Sequence, residues 1–440
     1  MNQFSLLKTS RFAPLFATQF LGAFNDNIYK NALVIFIAFT LADQVGRNSS
    51  IMVIVAAGLF ILPFFLFSAI AGQIADKFEK SILIQRIKIA EICIMLLAPF
   101  GFVLMNLPVL MIALFLLGTQ ATLFGPLKYS ILPQHLQESE LTGGNGMIEM
   151  GTFLAILLGT ILGGVLIAIK PAGPWYASIV VISVACCGWL ASRFIPQATP
   201  SESTLRINWN LINETIRILG YARENLTVFW SIIAISWFWF YGATFLSLIP
   251  SYTRDILTGN EHVATVLLTA FSIGIGTGSL MCEKLSGQKI EMGLVPLGAI
   301  GLTLFAMDLF IIGMPPPEFP EGNSVMTASA FFHQAITWRI FVDLSLIGLF
   351  GGLYIVPLYA LIQKLSHVSH RARIIAANNI LNALFMVMSA LLTITLFSFN
   401  VSIPQIFLVV AVLHLVITAL VFVKVPEFVH RFLILTGLNS

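Results

Sequence analysis

One stretch of 50 residues, Ile374 to Val423, contains no aspartate, glutamate, lysine or arginine. Shorter stretches without these residues run from Asn48 to Ala75 and from Leu226 to Thr253. Because about 20 apolar residues suffice for a helix to cross the hydrocarbon core of a bilayer, the longest stretch predicts two spanning helices with a hinge at 400–404. Only 10% of all residues are charged, against roughly 25% in soluble globular proteins. A water-soluble fold is therefore excluded.

Similar apolar segments recur along the chain and predict an all-α polytopic membrane protein with twelve transmembrane helices. The predicted helices are 12–40, 51–75, 82–105, 108–130, 144–169, 174–194, 226–252, 262–284, 289–313, 336–363, 373–398 and 403–424. Lysine and arginine concentrate in the cytoplasmic connections of membrane proteins. With the N-terminus inside, all 23 of them except Lys30, Arg47, Lys170, Arg254 and Arg339 lie on or near that side. Both termini are therefore expected in the cytoplasm.

The longest predicted cytoplasmic connection, residues 195–225, divides the chain into two six-helix halves, 1–194 and 226–440. Within it, Trp209, Ile212, Ile216 and Leu219 recur at spacings of three and four, which makes one apolar helical face. We expect an amphipathic helix on the inner membrane surface. A helix that only tethers the two halves is the alternative.

The two halves share a faint internal repeat at an offset of 231 to 233 residues. The matching pairs are Pro126 with Pro357, Lys128 with Tyr359, Asn145 with Asn378, and Glu149 with Asn382. Two parallel six-helix halves around a central site resemble the major facilitator architecture.

A charged motif follows the second predicted helix: Gly72, then Asp76, Lys77 and Lys80. It resembles the major facilitator signature of that loop. Glycine permits close helix approach, and an acid is stabilised at the N-terminus of a neighbouring helix. We interpret the motif as a conformational latch that breaks during transport, the alternative being a solvated charge cluster.

Charges inside spanning helices are costly and mark functional sites by default. The first helix carries Asn25, Asp26, Asn27 and Lys30, and Asp26 lies roughly 20 Å from the helix start at 1.5 Å per residue. Asp26 and Lys30 are four residues apart and could pair with each other. We favour an Asp26 that faces a substrate cavity.

The next candidates are Lys128, near the inner end of helix four, and Glu149, early in helix five. Because these helices join on one side, the two charges could come close, although an interfacial lysine and a helix-end acid are the alternatives. Their repeat partners Tyr359 and Asn382 are uncharged, so the charged part of the predicted substrate site lies in the first half. Asn145 and Asn378 complete this site.

Other charges within helices give weaker signals. Glu91 and Asp308 are lone charges without an evident partner, whereas Arg339 and Asp343 are four apart and predict an ion pair at the outer end of helix ten. Hydrolase, metalloprotease and nucleotide-binding motifs are absent, and the histidines form no ligand cluster. We therefore expect no catalytic residue, metal or cofactor, and a transporter rather than an enzyme.

Four segments carry a resemblance that spans nearly the whole chain. They are FLGAFNDN at 20–27, GPLKYSILP at 125–133, GNGMIEMGTFLAILLG at 144–159 and GGLYIVPLYALIQ at 351–363. The chain resembles the bacterial lysophospholipid transporters, a branch of the major facilitator superfamily. It is especially similar to the transporter part of fused proteins that continue into an acyltransferase and an acyl-carrier-protein ligase. It is either a stand-alone protein or such a part.

The resemblance implies movement of lysophosphatidylethanolamine-type lipids from the outer to the inner leaflet of the bacterial inner membrane, for reacylation. The family's functional aspartate and lysine match Asp26 and Lys128, whereas the arginine that some members carry in helix seven has no counterpart at 242–247. Partners would be the lysophospholipid, membrane lipids and an acyltransferase or ligase of the same pathway, but no nucleic acid. We expect alternating access with lateral lipid entry.

Two other functions remain open from the sequence. A proton-coupled exporter of small amphiphilic compounds would use Asp26, Glu91 and Glu149 as protonation sites. A membrane scaffold would instead dock a soluble enzyme through the basic loops. An integral membrane acyltransferase is disfavoured because its catalytic motif is missing.

Overall fold

The computed structural model describes residues 3–41, 49–313 and 326–438, and no side chain of 49–51. Arg47, which the charge analysis placed outside, lies beyond these residues. The described chain is built from helices, with twelve long ones in the predicted order. They are α1 (Ala13–Ile35), α2 (Ser49–Lys77), α3 (Lys80–Met95), α4 (Leu107–Ser130), α5 (Glu138–Ala168), α6 (Gly173–Ser192), α7 (Leu226–Asp255), α8 (Glu261–Leu285), α9 (Leu294–Ile312), α10 (Ala335–Leu365), α11 (Arg371–Ser398) and α12 (Ile403–Lys424).

Shorter elements surround these helices. A π-helical turn, Phe36–Thr40, extends α1, and the short helix Ala98–Val103 continues α3 after a break. Two amphipathic elements lie outside the long helices. They are the linker helix Leu211–Glu224, within the predicted 195–225 connection, and the terminal helix Glu427–Leu435, which the sequence analysis did not predict.

Ten of the twelve long helices are long and apolar enough to cross a membrane, judged on the described residues. The two others are α1, which carries the polar residues around Asp26, and α3, which ends after 16 residues. The multi-pass membrane architecture is therefore confirmed, but the count of twelve spanning helices is not. The difference arises because polar residues and a helix break reduce the apolar length of α1 and α3.

Asparagine side chains begin three of the helices. Asn106, Asn225 and Asn260 each accept a hydrogen bond from the backbone N–H three residues on, at 3.1 to 3.2 Å. Such N-caps satisfy backbone donors that the helix itself leaves unpaired. Caps of this kind explain why the observed starts of α4, α7 and α8 lie within one residue of the predicted starts.

The chain forms two compact units. Unit 1 comprises 1–138, 154–224 and 363–380, and unit 2 comprises 139–153, 225–362 and 381–440. Unit 1 thus includes the first residues of α11, and unit 2 the first residues of α5. The division into two six-helix halves joined by a linker stays a prediction.

Unit 1 has a mainly aliphatic core among α1, α3, α4 and α6. The second half of α5 approaches α1 closely because it carries glycine at the contact. A Cβ added at Gly159 would lie 2.6 Å from the carbonyl oxygen of Phe24. Small residues let membrane helices pack backbone to backbone, which holds the polar segment of α1 in place.

Unit 2 uses the same device between α8 and α10. Gly274 and Gly278 lie on one face of α8, and Gly348 and Gly352 lie on the facing side of α10. Because each pair is four residues apart, the glycines stack along one helical face. The close approach brings Ser345 and Leu349 of α10 against the α8 backbone.

The linker is hydrogen-bonded to the connection between α2 and α3. Ala198 N donates to Glu79 Oε1 at 2.6 Å, and Lys80 N donates to Ala198 O at 3.1 Å. Gln73 and Asn208 exchange two hydrogen bonds, at 2.7 and 3.0 Å. The linker therefore runs as an ordered strap across this end of unit 1.

The linker helix packs one face, which includes Ile218 and Ala222, against the rest of unit 1. Ile218 and Ala222 are fully buried, and Ile218 packs with Ala69 of α2 and Ala376 of α11. Trp209, Ile212 and Ile216 are exposed on the protein surface. An apolar face that the protein leaves uncovered suits the membrane interface.

Glu79 joins the linker to α3. It caps α3 by accepting from the backbone N–H of Ser81 and Ile82, and it also accepts from Ala198. Partial burial by itself would raise the pKa of Glu79, but these hydrogen bonds outweigh burial and hold the pKa below its ordinary value. The ionised form of Glu79 therefore stabilises the docked linker.

We expect Glu79→Ala to loosen the linker. Losing a cap costs about 1 kcal/mol, which corresponds to roughly a fivefold rise in the undocked population. Tryptic cleavage after the exposed Arg206 should accelerate accordingly. Glu224→Ala, which removes an exposed acid at the other end of the linker, should leave the cleavage rate unchanged.

The stability contribution of Glu79 should depend on pH. Because its folded-state pKa is lowered, the contribution is present above the unfolded-state pKa and is lost as the pH falls through the folded-state pKa. The difference in thermal unfolding between the wild type and Glu79→Ala should therefore exist at neutral pH and vanish in acid. A difference that does not change with pH would contradict this role.

Candidate functional site

The polar segment of α1 lies within unit 1. Asp26 is half-buried, and its Oδ1 atom is buried without a hydrogen-bond partner among the described residues. Its electrostatic neighbours are Glu91, Lys30, Lys88 and Lys128. Asp26 therefore interacts with charges on α3 and α4 as well as on its own helix.

The other three polar residues of this segment have different roles. The Lys30 ammonium lies 4.4 Å from the centre of the Phe60 ring on α2, a cation–π contact. Asn27 bonds back to the carbonyl of Ala23 in its own helix. Asn25 is fully buried and bonds to α3. The three are thus directed at different surroundings, as residues on several helical faces must be.

Glu91 is not a lone charge, and the sequence interpretation was wrong on this point. Its carboxylate accepts from Lys88 Nζ at 2.6 Å, from Asn25 Nδ2 at 2.9 Å and from Gln120 Nε2 at 2.9 Å. All four side chains are at least 95% buried. A buried charge must be paired and hydrogen-bonded, so this network joins α1, α3 and α4. Sequence spacing shows the Lys88–Glu91 pair but not the two amides.

Lys128 lies on α4, half-buried, with its ammonium 4.6 Å from the ring centre of Tyr129. One turn earlier, Gly125 leaves room for Asn379 of α11, whose Nδ2 atom would lie 2.6 Å from a Cβ added at Gly125. This amide nitrogen is buried without a hydrogen-bond partner in the described structure. Asn379 was missed by the sequence analysis, although it directly follows Asn378.

Asn378 is 1% exposed, and neither of its side-chain polar atoms has a hydrogen-bond partner among the described residues. Buried amides are normally satisfied by protein or water. Asn378 and Asn379 are neighbouring buried amides with atoms that lack hydrogen-bond partners, and they belong to the same unit as Asp26 and Lys128. They mark a place where a polar group can be bound.

Four predicted residues lie in unit 2. Asn145 and Glu149 of α5 are fully buried, and Asn145 bonds to the carbonyl of Leu141 in its own helix. Tyr359 of α10 accepts from Trp239 Nε1 at 3.2 Å, and Asn382 of α11 accepts from Ser236 at 2.9 Å. The predicted approach of Glu149 to Lys128 joins the two units and stays a prediction.

Trp239 connects two predicted regions of unit 2. Its ring stacks on Phe153, one turn beyond Glu149, with centroids 6.1 Å apart, while its indole N–H donates to Tyr359. The sequence analysis did not identify Trp239, because aromatic residues are frequent in this chain. What distinguishes Trp239 is its indole N–H group, which needs a hydrogen-bond partner where water is absent.

Asp76 lies at the N-terminus of α11. Its carboxylate accepts from the backbone N–H of Ala372 and Arg373 at 3.2 and 3.3 Å, and from Arg373 Nε at 3.1 Å. Asp76 and Arg373 are both at least 98% buried. The helix dipole and the guanidinium therefore stabilise the same carboxylate. Whether this contact acts as a latch stays a prediction.

The remaining residues of the motif serve different contacts. A Cβ at Gly72 would lie 2.8 Å from that of Ala376, so glycine permits the approach of α2 to α11. Lys80 is fully buried and donates to Ser201 of the linker at 3.0 Å. Lys77 lies near the ring of Phe78. The linker also provides Glu202, which pairs with Arg373.

Across the described residues, no group of three histidine, cysteine, aspartate or glutamate side chains is arranged to hold a metal ion. In unit 1, Asp26 and Lys128 carry opposite charges, which suits a zwitterionic ligand.

The chain resembles known families and proteins over most of its length. Residues 15–333 match the family model described as Major Facilitator Superfamily. The chain is 28% identical to the lysophospholipid transporter LplT of Shigella flexneri, over 79% of this chain and 78% of that protein. LplT of Escherichia coli O139:H28 is 28% identical with the same coverage.

Solved structures with similar folds are transporters. The human organic anion transporter TETRAN has a TM-score of 0.68 at 12% identity, covering 93% of this chain and 99% of that one. A bacterial homologue of the iron transporter ferroportin, in an outward-facing state, has a TM-score of 0.63 at 14% identity, covering 95% and 99%. These two structures confirm the predicted fold class, whereas the family model and the two LplT relatives confirm the predicted resemblance to the lysophospholipid transporters of the major facilitator superfamily.

We expect Glu91→Ala to destabilise the protein strongly. It leaves the Lys88 ammonium buried without its counter-ion, which costs about 3 to 5 kcal/mol. The measurement is thermal unfolding in detergent. The double variant Lys88→Met/Glu91→Leu should recover much of the loss, since it removes both buried charges. Additive destabilisation in the double variant would contradict a paired network.

Proposed function

Because the chain belongs to the major facilitator superfamily, we propose that it moves lysophospholipids of the lysophosphatidylethanolamine type across the bacterial inner membrane. Transport would run from the outer to the inner leaflet, where the lipid is reacylated. The relatives named lysophospholipid transporters support the substrate class. The function is transport, not catalysis.

One observation carries the choice of substrate. Asp26 and Lys128 present opposite charges within one unit, close enough to interact electrostatically, in a membrane-embedded region. Asp26 has an open buried oxygen. A phosphoethanolamine headgroup carries one phosphate and one ammonium. Lys128 would bind the phosphate and Asp26 the ammonium, with the amides of Asn378 and Asn379 as further polar contacts.

The acyl chain needs an apolar path beside the headgroup. On α1, Phe12, Phe16, Phe20 and Phe24 stack in a row, with neighbouring centroids 6.0 to 6.3 Å apart. The row is about 18 Å long at 1.5 Å per residue and ends two residues before Asp26. An acyl chain along it would end close to the level of Asp26 along the helix axis.

Alternating access requires that closed contacts break and re-form. Asp76 and Arg373, from distant parts of the chain, close α2 onto α11 within unit 1. We assign them the latch role, with Glu202 as a second acid from the linker. Breaking the contact would free the first turns of α11, which carry Asn378 and Asn379. Latch and headgroup contacts would then change together.

The charge distribution supports a location in the inner membrane with both termini in the cytoplasm. The exposed apolar face of the linker would insert at the boundary between the headgroups and the acyl chains of membrane lipids. An acyltransferase or acyl-carrier-protein ligase of the same pathway would consume the transported lipid. Glu91 is neutralised by Lys88, which weakens the proton-coupled exporter that would use it as a protonation site.

We expect Asp26→Asn and Lys128→Ala each to abolish uptake of a fluorescent lysophosphatidylethanolamine into proteoliposomes. Each removes one of the two charges that hold the headgroup, and loss of a paired buried charge costs about 3 to 5 kcal/mol, or a factor of at least about 100 in binding. Wild-type uptake in both variants would overturn the proposal.

The matched controls are Asp255→Asn and Lys284→Ala, which make the same charge changes at exposed positions. Both should transport at the wild-type rate. A lysolipid without an amine, lysophosphatidylglycerol, separates the two contacts: Asp26→Asn should impair it less than Lys128→Ala does. Equal impairment by the two variants would indicate that both residues stabilise the structure and do not bind the headgroup.

We expect Asp76→Ala to expose the start of α11. The change leaves the buried Arg373 with Glu202 as its remaining described acid partner, so the closed contact weakens. The readout is maleimide labelling of Ala377→Cys in a protein without native cysteines. Labelling should accelerate at least tenfold, about 1.4 kcal/mol. The control Arg206→Ala should not change it, and equal labelling with Asp76→Ala would contradict the latch.

A further inference from the structure

Arg339 does not form the ion pair that its sequence position predicts. Instead of Asp343, four residues on, its guanidinium binds Asp308 of α9 through two parallel hydrogen bonds, of which Nε to Oδ2 measures 2.9 Å. A bidentate pair of this kind fixes an ionised carboxylate. Asp308 is thus the charged partner, and the predicted Arg339–Asp343 pair was wrong.

Asp343 is left in an unusual position. It is 3% exposed, its Oδ2 atom has no hydrogen-bond partner in the described part of the chain, and it interacts electrostatically with Asp308. The ionised form of a buried carboxyl group beside a second carboxylate is disfavoured, because like charges repel and burial removes water. Since Asp308 holds the arginine, the proton belongs on Asp343.

A third group completes the cluster. Tyr252, near the end of α7, is 1% exposed, its hydroxyl has no hydrogen-bond partner among the described residues, and it interacts electrostatically with Asp343. The titratable or charged groups described around Asp343 are therefore Asp308 of α9, Arg339 of its own helix and Tyr252 of α7. A buried hydroxyl without a partner and a buried carboxyl oxygen without a partner, in electrostatic contact, could form a hydrogen bond in a second state.

We propose that Asp343 is a proton-binding site, at the predicted outer end of unit 2, whose occupancy switches the partner of Arg339. With the proton bound, Arg339 holds Asp308 and ties α10 to α9. When Asp343 releases its proton to water, its carboxylate takes the Arg339 guanidinium one turn away, and Tyr252 donates to it. No covalent bond other than the O–H bond changes. The tie between α9 and α10 is thereby weakened.

The occupant is a proton rather than a metal cation because the site already contains a fixed positive charge. The Arg339 guanidinium neutralises Asp308 and would repel sodium. A proton on Asp343 also removes the repulsion between the two neighbouring carboxyl groups. This site goes beyond the proposed lipid transport, because it would link the transport cycle to the pH on one side of the membrane.

Infrared spectroscopy of the reconstituted wild-type protein tests the site without any substrate. The C=O stretching band of a protonated carboxylic acid should be present at neutral pH and disappear as the pH rises. Asp343→Asn should remove this band, whereas the exposed control Asp255→Asn should keep it. A band that persists in Asp343→Asn, or that responds to sodium instead of pH, overturns the proposal.

A second variant changes the other acid of the cluster. Asp308→Asn frees Arg339 to pair with Asp343, which favours the ionised carboxylate, so the band should vanish at a lower pH than in the wild type. An unchanged titration would contradict the partner switch. This variant also keeps the test decisive if Asp343→Asn does not fold.

Transport measurements then connect the site to function. Lysolipid uptake by the wild type should vary with external pH by no more than about tenfold per unit, as for a single titrating proton, and uptake by Asp343→Asn should be independent of pH. A wild-type pH profile in Asp343→Asn overturns the linkage. If the wild type moves no lysolipid at any pH, the proposed function fails, while the infrared result still decides the proton site.

Discussion

The cost of a charge in a medium without water governs this structure. Hydrocarbon offers no hydrogen bonds, so an ionised group inside the bundle must be paired, neutral, or positioned to bind something. The Glu91 network shows the first solution: one carboxylate receives an ammonium and two amides, and the four side chains connect three helices. The proton that we propose on Asp343 would be the second. Asp26, with an open oxygen, shows the third.

The same rule explains why the linker is ordered. The connection from α2 to α3 carries Asp76, Glu79 and Lys80 within five residues, and each of them has partners outside these two helices. The linker provides backbone groups to Glu79 and Lys80, and its Glu202 adds a second acid to Arg373. The connection between the halves is therefore also a structural part of the predicted latch. A transporter that opens here must rearrange the linker as well.

Glycine and aromatic residues position the site. Gly72 and Gly159 each allow a neighbouring helix to approach to backbone distance, and Gly125 leaves room for the side chain of Asn379. In unit 2, Trp237 donates to the buried His414 at 2.8 Å, and Phe245 stacks on Phe407. Such contacts hold the helices together, because the hydrophobic effect does not drive association between helices that are surrounded by lipid.

Much of the architecture could be predicted from the sequence because a spanning helix is a local property. Long apolar runs place α7, α10 and α12 to within three residues at either end, and asparagine caps sharpen several starts. The buried charges Asp26, Lys128 and Glu149 were also visible, since few ionisable residues occur within apolar runs. The break in the predicted helix 82–105 was not visible, because the mean hydropathy of an apolar segment does not show where a helix is interrupted.

Pairing could not be predicted in the same way, because it depends on which helices are neighbours. Sequence spacing paired Arg339 with Asp343, but α9 brings Asp308 closer in the right geometry. It left Glu91 alone, although α1 and α4 provide its amides, and it did not identify Asn379, which matters only because Gly125 faces it. The sequence by itself determined the membrane class, the helices and the candidate charges. Only the tertiary structure decided which charges are satisfied and which remain open, since that depends on contacts between helices far apart in the chain.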